Sequence, residues 1–252
     1  MNNYFSLKGK VAVVTGSSTG LGQSMAIGLA KAGADIIGIA SRSNQDETMK
    51  EIEKTGREFY QIQADLSKKT EINSIVQDSI NKKGRIDILV NNAGIIRRNN
   101  AENFSDEDWD DVINVNLNSV FRLTREIGNH MIANGSGKII NIASMLTFQG
   151  GLKVPAYTAS KHAIAGLTKS FSNEWASKGI NVNAIAPGYM ITNNTKALRE
   201  DKKRYEYITS RIPQGEWGTP EDLKGSVVFL ASNASRYING HILCVDGGWM
   251  SS

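Results

Sequence analysis

Disulfides cannot organise this chain. Its 252 residues include a single cysteine, Cys244, and an internal bridge needs two. The lone thiol fits a reducing compartment. It lies in the apolar run HILCV and reads as a small buried core residue. Prolines number only four, and no stretch is low in complexity. No apolar run approaches the length of a membrane span. The opening residues, MNNYFSLKGK, contain no apolar signal core. The three histidines, His130, His162 and His241, share no metal-ligand spacing, so no metal site is expected. Charge of one sign is also scarce: 29 Lys and Arg stand against 25 Asp and Glu, a formal net charge of +4. The densest basic stretch, Lys202-Lys203-Arg204, is short and reads as solvated surface, not as a nucleic-acid patch. These absences argue against a disulfide scaffold, a membrane protein and a nucleic-acid binder. They leave a chain of the cytoplasm whose 40% hydrophobic content suffices for one sizeable core.

What is present is a repeating alternation. Short apolar runs read as strands: VAVV (11–14), DIIGIA (35–40), FYQIQA (59–64), IDILV (86–90), KIINIA (138–143), INVNAIA (180–186) and HILCV (241–245). Helical spacing lies between them, over 20–32, near 45–55 and over 70–80. Continuous β-branched runs separated by helices predict a parallel sheet buried on both faces. The expected fold is α/β, a doubly wound, Rossmann-like parallel sheet forming one domain over residues 1–252. The acids after Ser105 and the Thr219-Pro220-Glu221-Asp222 stretch read as helix starts, not as paired catalytic carboxylates.

A glycine-rich turn, TGSSTGLG (15–22), follows the first strand and opens the first helix. Gly16, Gly20 and Gly22 permit close backbone approach, and the helix N-terminus offers free N–H groups to a pyrophosphate. Ser17 and Ser18 add hydroxyls, and Leu21 lies within the same turn. The expected ligand is therefore a dinucleotide. An acid at the end of the second strand would grip ribose hydroxyls and exclude a 2′-phosphate, but Ala40-Ser41-Arg42 stands there instead. Ser41 and Arg42 fall at the adenosine end. Arg42 can meet a 2′-phosphate, stack on adenine or face water, so the residues alone leave NAD and NADP open. Asp65 and Leu66, after the third strand, are expected to edge the adenine.

Ser144, Tyr157 and Lys161 form the candidate chemical centre. YxxxK on a helix places Tyr157 and Lys161 on one face. A free phenol titrates near pH 10. A nearby ammonium is expected to stabilise its phenolate, so that Tyr157 can exchange a proton with a carbinol or carbonyl oxygen. Ser144 ends a strand at the sheet edge where such folds bind ligands, and its hydroxyl can hold the substrate oxygen. Asn116 can continue a proton path through water.

The ordered set GxxxGxG, NNAG, Asn116, Ser144, YxxxK and Pro187-Gly188 resembles the short-chain dehydrogenase/reductase family over essentially the whole chain. The resemblance implies that Asn116, Ser144, Tyr157 and Lys161 are a catalytic tetrad, with Tyr157 and Lys161 also at the nicotinamide ribose. It implies that Asn92, Ala93 and Gly94 lie beside the ribose, and that Pro187, Gly188 and Thr192 meet the nicotinamide carboxamide. The departure at Ala40-Ser41-Arg42 bears on cofactor preference.

Five stretches are more specific: GIIRRNNA (94–101), NIASMLTFQGG (141–151), VPAYTASK (154–161), APGYMITNNT (186–195) and RIPQGEWG (211–218). They resemble the sugar-acid dehydrogenases of the family. That resemblance implies NAD(H), a homotetramer, and interconversion of 2-dehydro-3-deoxy-D-gluconate with its 2,5-diketo acid in breakdown of pectin and other uronates. An acid substrate gives Arg97 and Arg98 a use, because a guanidinium grips a carboxylate bidentately. Neighbours in an extended segment point opposite ways, so one of the two is expected in the pocket; two solvated loop charges are the alternative. Gln149, Tyr189 and Asn194 are candidates for sugar hydroxyls, and Met145 and Trp217 for pocket walls. The charged stretch 195–212, within 190–218, is read as a substrate lid, with an exposed surface helix as the alternative. Gluconate 5-dehydrogenase and 3-oxoacyl carrier-protein reductase are the rival enzyme readings. A dinucleotide-sensing binding protein is the rival outside catalysis.

Overall fold

The computed structural model describes residues 3–41 and 44–252. The strands are β1 (Val11–Thr15), β2 (Asp35–Ala40), β3 (Phe59–Gln63), β4 (Ile88–Asn91), β5 (Gly137–Ile142), β6 (Ile180–Pro187) and β7 (Ile242–Val245). They form one seven-stranded sheet in the order β3-β2-β1-β4-β5-β6-β7, parallel at every pairing. The helices are α1 (Gly20–Lys31), α2 (Asp46–Glu53), α3 (Lys69–Lys83), α4 (Asp106–Ile113), α5 (Ser119–Ala133), α6 (Pro155–Trp175), α7 (Lys196–Glu200), α8 (Lys202–Ser210) and α9 (Leu223–Ala231).

The strands lack a polar face because both sides of the sheet are covered. Side chains alternate across a strand. Ala12, Val14, Ile36, Ile88 and Val90 pack with Met25 and Leu29 of α1 and with Leu223 and Val227 of α9. Their neighbours Val11, Val13, Ile37, Ile39 and Leu89 pack on the other side with Ile72 and Ile75 of α3 and with Leu123 and Ile127 of α5. Two apolar layers on one sheet produce the unbroken runs in the sequence.

Two expectations shift. The run IDILV enters the sheet only at Ile88. Just before it, the Asp87 carboxylate, buried to 7% exposure, accepts from the Val11 N–H at 3.0 Å and from Arg85 and Lys10, while its backbone bonds to Val11 and Lys138. Cys244 is half-buried, not a core residue, because β7 is an edge strand partly exposed along its length. Among the described residues, no helix is long and apolar enough to cross a membrane.

The chain winds outward from β1 in both directions, with β2 on one side and β4 on the other. The loops leaving β1 and β4 therefore diverge and open a crevice at the carboxyl edge. Buried amides brace that edge. Asn91 Nδ2 donates to Asn141 Oδ1 and Thr124 Oγ1, each at 2.8 Å, and Asn141 Nδ2 donates to Thr168 Oγ1 at 2.9 Å. This network ties β4 and β5 to α5 and α6, and a fully satisfied buried network fixes one arrangement.

Candidate active site

The crevice widens into a cavity of about 620 Å³, within the usual range for small-molecule sites. The loops after β1, β4, β5 and β6 and one face of α8 enclose it.

The floor is the glycine-rich turn. Gly16 has φ +66°, and a Cβ there would lie 2.8 Å from Asn92 Nδ2. A Cβ at Gly22 would lie 2.1 Å from the Gly16 carbonyl oxygen, so only glycine lets the helix start so near the turn. Thr15 Oγ1 accepts from the N–H groups of Asn92 and Ala93 at 2.9 Å each, and Asn92 Nδ2 donates back to the Thr15 carbonyl at 2.9 Å. NNAG thereby holds the glycine turn. Thr19 gives α1 no side-chain cap, and no acid stands in its first turn. The first N–H groups are left for an anion. A cradle that a Cβ would fill, with an uncapped helix start, fits the pyrophosphate of a nicotinamide dinucleotide.

Ser144, Tyr157 and Lys161 line the same cavity. Ser144 follows β5 and caps a short 3-10 turn, its Oγ accepting from the Leu146 N–H at 3.2 Å. Pro155 starts α6, which carries Tyr157 and Lys161 one turn apart. The Ser144 hydroxyl stands close enough to the Tyr157 phenol to favour its ionised form. Lys161, 5% exposed, donates through Nζ to the Ile142 carbonyl at 2.6 Å and stands 5.4 Å from the centre of the Tyr157 ring. Burial lowers Lys161 to about 8. Burial also pushes the Tyr157 phenol up, opposed by the Ser144 hydroxyl and the Arg98 charge. The net direction is upward, against the expected stabilisation of the phenolate, because desolvation of the ring outweighs the effects of Ser144 and Arg98.

Asn116 lies in a π-helical turn, Asn114–Asn118, between α4 and α5. It does not line the cavity. Its side chain accepts from the Ile95 N–H at 2.8 Å and donates to the Ile95 carbonyl at 2.9 Å, pinning the loop after β4.

The other predicted positions divide. Gly16, Ser18, Gly20, Leu21, Gly22, Asn92, Ala93, Gly94, Pro187, Gly188 and Thr192 line the cavity, as do Met145, Gln149, Tyr189 and Asn194. Ser17 does not: it is fully buried, and its Oγ donates to Gln45 Oε1 at 2.5 Å. Ser41 is exposed and outside the lining. Leu66 packs into the core. The Asp65 carboxylate is also outside; it accepts from the Ser67 N–H and hydroxyl, which hold it below the usual carboxylate range. Arg42 lies outside the described residues. Trp217 sits behind the wall, packed on Tyr189 at 5.2 Å between ring centres.

The arginine pair separates as extended geometry requires. Arg97 turns away to Asp108 at 3.2 Å and Asp111 at 2.9 Å on α4. Arg98 lines the cavity, and its Nη2 donates to the Asn194 carbonyl at 2.9 Å. Sequence reasoning missed Arg204, Tyr207, Arg211 and Trp249, all in the lining. Arg204 belongs to the basic stretch read as solvated surface. The available signal was the i, i+3, i+4, i+7 spacing of Arg204, Tyr207, Ile208 and Arg211.

The chain matches the family profile described as Enoyl-(Acyl carrier protein) reductase over residues 16–250. It is 59% identical to 2-dehydro-3-deoxy-D-gluconate 5-dehydrogenase of Bacillus subtilis (strain 168), covering 100% of this chain and 98% of that protein. A crystal structure from Agrobacterium tumefaciens, described as a 2-deoxy-D-gluconate 3-dehydrogenase with bound NADP, superposes with a TM-score of 0.93 at 52% identity, covering 99% of this chain and 100% of the other. A second, from Beutenbergia cavernae, described as an NAD(P)-dependent gluconate 5-dehydrogenase with NADP at low occupancy, gives 0.96 at 47% identity over 99% and 100%. With a nicotinamide-dinucleotide cradle beside a Ser-Tyr-Lys cluster on this sheet, the chain belongs to the short-chain dehydrogenase/reductase family, oxidoreductases of CH–OH groups.

Proposed function

We propose that this protein interconverts 2-dehydro-3-deoxy-D-gluconate and its 2,5-diketo acid with NAD(H), chiefly as a reductase, in the breakdown of pectin and other uronates. The observation that carries the acid substrate is the charge of the cavity. Arg98, Lys161, Arg204 and Arg211 line it, and among the described residues no Asp or Glu does. An organic acid is drawn into such a site, whereas a neutral polyol gains nothing from it. The specific acid is taken from the Bacillus subtilis relative.

Gly16, Ser18 and Gly20 to Gly22 would hold the pyrophosphate, Asn92 to Gly94 would lie beside the ribose, and Pro187, Gly188 and Thr192 would face the carboxamide. The bound nicotinamide supplies the hydride donor or acceptor. In reduction the Tyr157 Oη proton passes to the substrate carbonyl oxygen; in oxidation Tyr157 takes it from the carbinol. Ser144 holds that oxygen through its hydroxyl. Lys161 keeps a positive charge beneath the phenol and contacts the ribose. Asn116 fixes the loop at Ile95 and extends the proton path by water. Arg98 brings positive charge to the Tyr157 side of the cavity. Gln149, Tyr189 and Asn194 are assigned to hydroxyls, and Met145 to the wall. Segment 190–218, with α7 and α8, is the lid of a single catalytic domain. The half-exposed edge β7 and the Phe121–Phe171 stack on α5 and α6 are surfaces that a homotetramer would cover.

Gluconate 5-dehydrogenase with NADP is the second reading, favoured by the Beutenbergia relative. Absorbance assays with NADH, and separately NADPH, test both against the 3-deoxy-2,5-diketo acid and 5-keto-gluconate. Turnover of the deoxy acid with NADH supports the proposal. Turnover only with NADPH replaces the cofactor, and turnover only of 5-keto-gluconate replaces the substrate.

A further inference from the structure

We propose that Arg204 and Arg211, on one face of α8 and its C-terminal boundary, are the receptor for the substrate carboxylate. The inference rests on the sugar-acid reading above and deepens it.

Arg204, Tyr207, Ile208 and Arg211 all line the cavity. Their i, i+3, i+4, i+7 spacing makes them a single stripe, and Arg211 keeps helical φ and ψ just past Ser210. Nearby on the outer side, Lys196 pairs with Glu200 and Lys202 with Glu206. Among the described residues, neither Arg204 nor Arg211 has a carboxylate within ion-pair distance. Two guanidiniums on the cavity face of a helix repel one another unless an anion lies between them or near them.

Arg211 is already oriented. Its guanidinium lies 4.2 Å from the centre of the Trp249 ring. Trp249 Nε1 donates to Gln149 Oε1 at 2.9 Å, and Tyr189 packs edge-on against Trp249 at 4.8 Å. A guanidinium stacked on an indole keeps its in-plane donors free for a bidentate carboxylate. The indole is itself fixed from two sides, so little orientation is lost on binding.

Arg211 stacks on Trp249, and Trp249 packs on Tyr189, so α8 sets its positive charge at the Tyr189 end of the cavity. Arg98 sets its own beside Asn194. The proposal assigns the carboxylate to the first of these two places, with position 5 of the acid at Tyr157.

The test compares wild type, Arg204→Gln, Arg211→Gln, the double variant and Arg98→Gln on the 3-deoxy-2,5-diketo acid and on its methyl ester, which keeps the carbon skeleton without the charge. We expect the double variant to lose about 10- to 100-fold in kcat/KM on the acid, mostly through KM. The ester should change little and the Kd for NADH should stay within about twofold. The wild-type preference for acid over ester then collapses. Equal losses on acid and ester would overturn the proposal, because they mark a structural role. Collapse of the preference in Arg98→Gln alone would overturn it in favour of the other end. A wild type that turns over the ester as well as the acid would refute the sugar-acid reading itself, and the carboxylate receptor with it.

Discussion

Lys161 Nζ donates to the carbonyl oxygen of Ile142 at 2.6 Å, so the ammonium on α6 is anchored to the strand that leads into Ser144. The sheet therefore positions both partners of Tyr157: Ser144 by chain continuity from β5, and Lys161 by this hydrogen bond. Both groups near the phenol are set by the same strand end.

That arrangement gives a pH signature. Burial lowers Lys161 to about 8 and raises Tyr157. As pH rises, Lys161 loses its proton first, while the phenol needed as proton donor is still intact. The reductive rate is expected to decline above about pH 8, and the decline reports Lys161. In Lys161→Met a slower rate remains and this limb is absent from its pH profile. An unchanged limb in the variant would assign it to another group.

Tyr157→Phe removes the proposed proton donor and leaves the ring in place. Turnover is expected to fall by at least about 100-fold, with the Kd for NADH within a few-fold of wild type by fluorescence titration. Near-normal turnover would remove Tyr157 from the chemistry.

Arg97 and Arg98 are adjacent but differ in partners. Arg97→Ala breaks exposed ion pairs with Asp108 and Asp111, and its cost is expected within about 1 kcal/mol of stability with no change in KM. Arg98→Ala removes positive charge beside Tyr157. It is expected to raise KM for acids several-fold and to move the rising limb of the oxidative pH profile, which reports ionisation of Tyr157, to higher pH. Steady-state kinetics with thermal melts separate the two, and a silent Arg98→Ala would make the RR segment only a loop.

Gly22→Ala places a Cβ 2.1 Å from the Gly16 carbonyl. The turn must shift, so NADH affinity is expected to fall about tenfold or more, with a stability loss on the order of 1–3 kcal/mol. Calorimetric titration measures the first and denaturant unfolding the second. Unchanged affinity would show that the turn does not cradle the dinucleotide.

The strands and the glycine turn were legible because their determinants are local. A strand buried on both faces must be apolar at successive positions, as VAVV is. A turn that admits no Cβ must use glycine, as Gly22 does. Tyr157 and Lys161 were legible as a pair because helical spacing alone places i and i+4 together. Ser17 was not: its hydroxyl serves Gln45, a partner 28 residues away, and nothing in TGSS distinguishes it from Ser18.

The sequence by itself determined the parallel doubly wound sheet, since this follows from periodicity and backbone sterics, and its ordered motifs carried the resemblance to the family and the candidates for the chemical centre. Tertiary structure decided everything that depends on long-range pairing. It turned Arg97 onto α4 and left Arg98 at the cavity beside Asn194. It lifted Arg204 out of an apparent surface run and set Arg211 on Trp249. It also reversed the expected shift of Tyr157, because desolvation belongs to the assembled environment of a group and not to its neighbours in the chain.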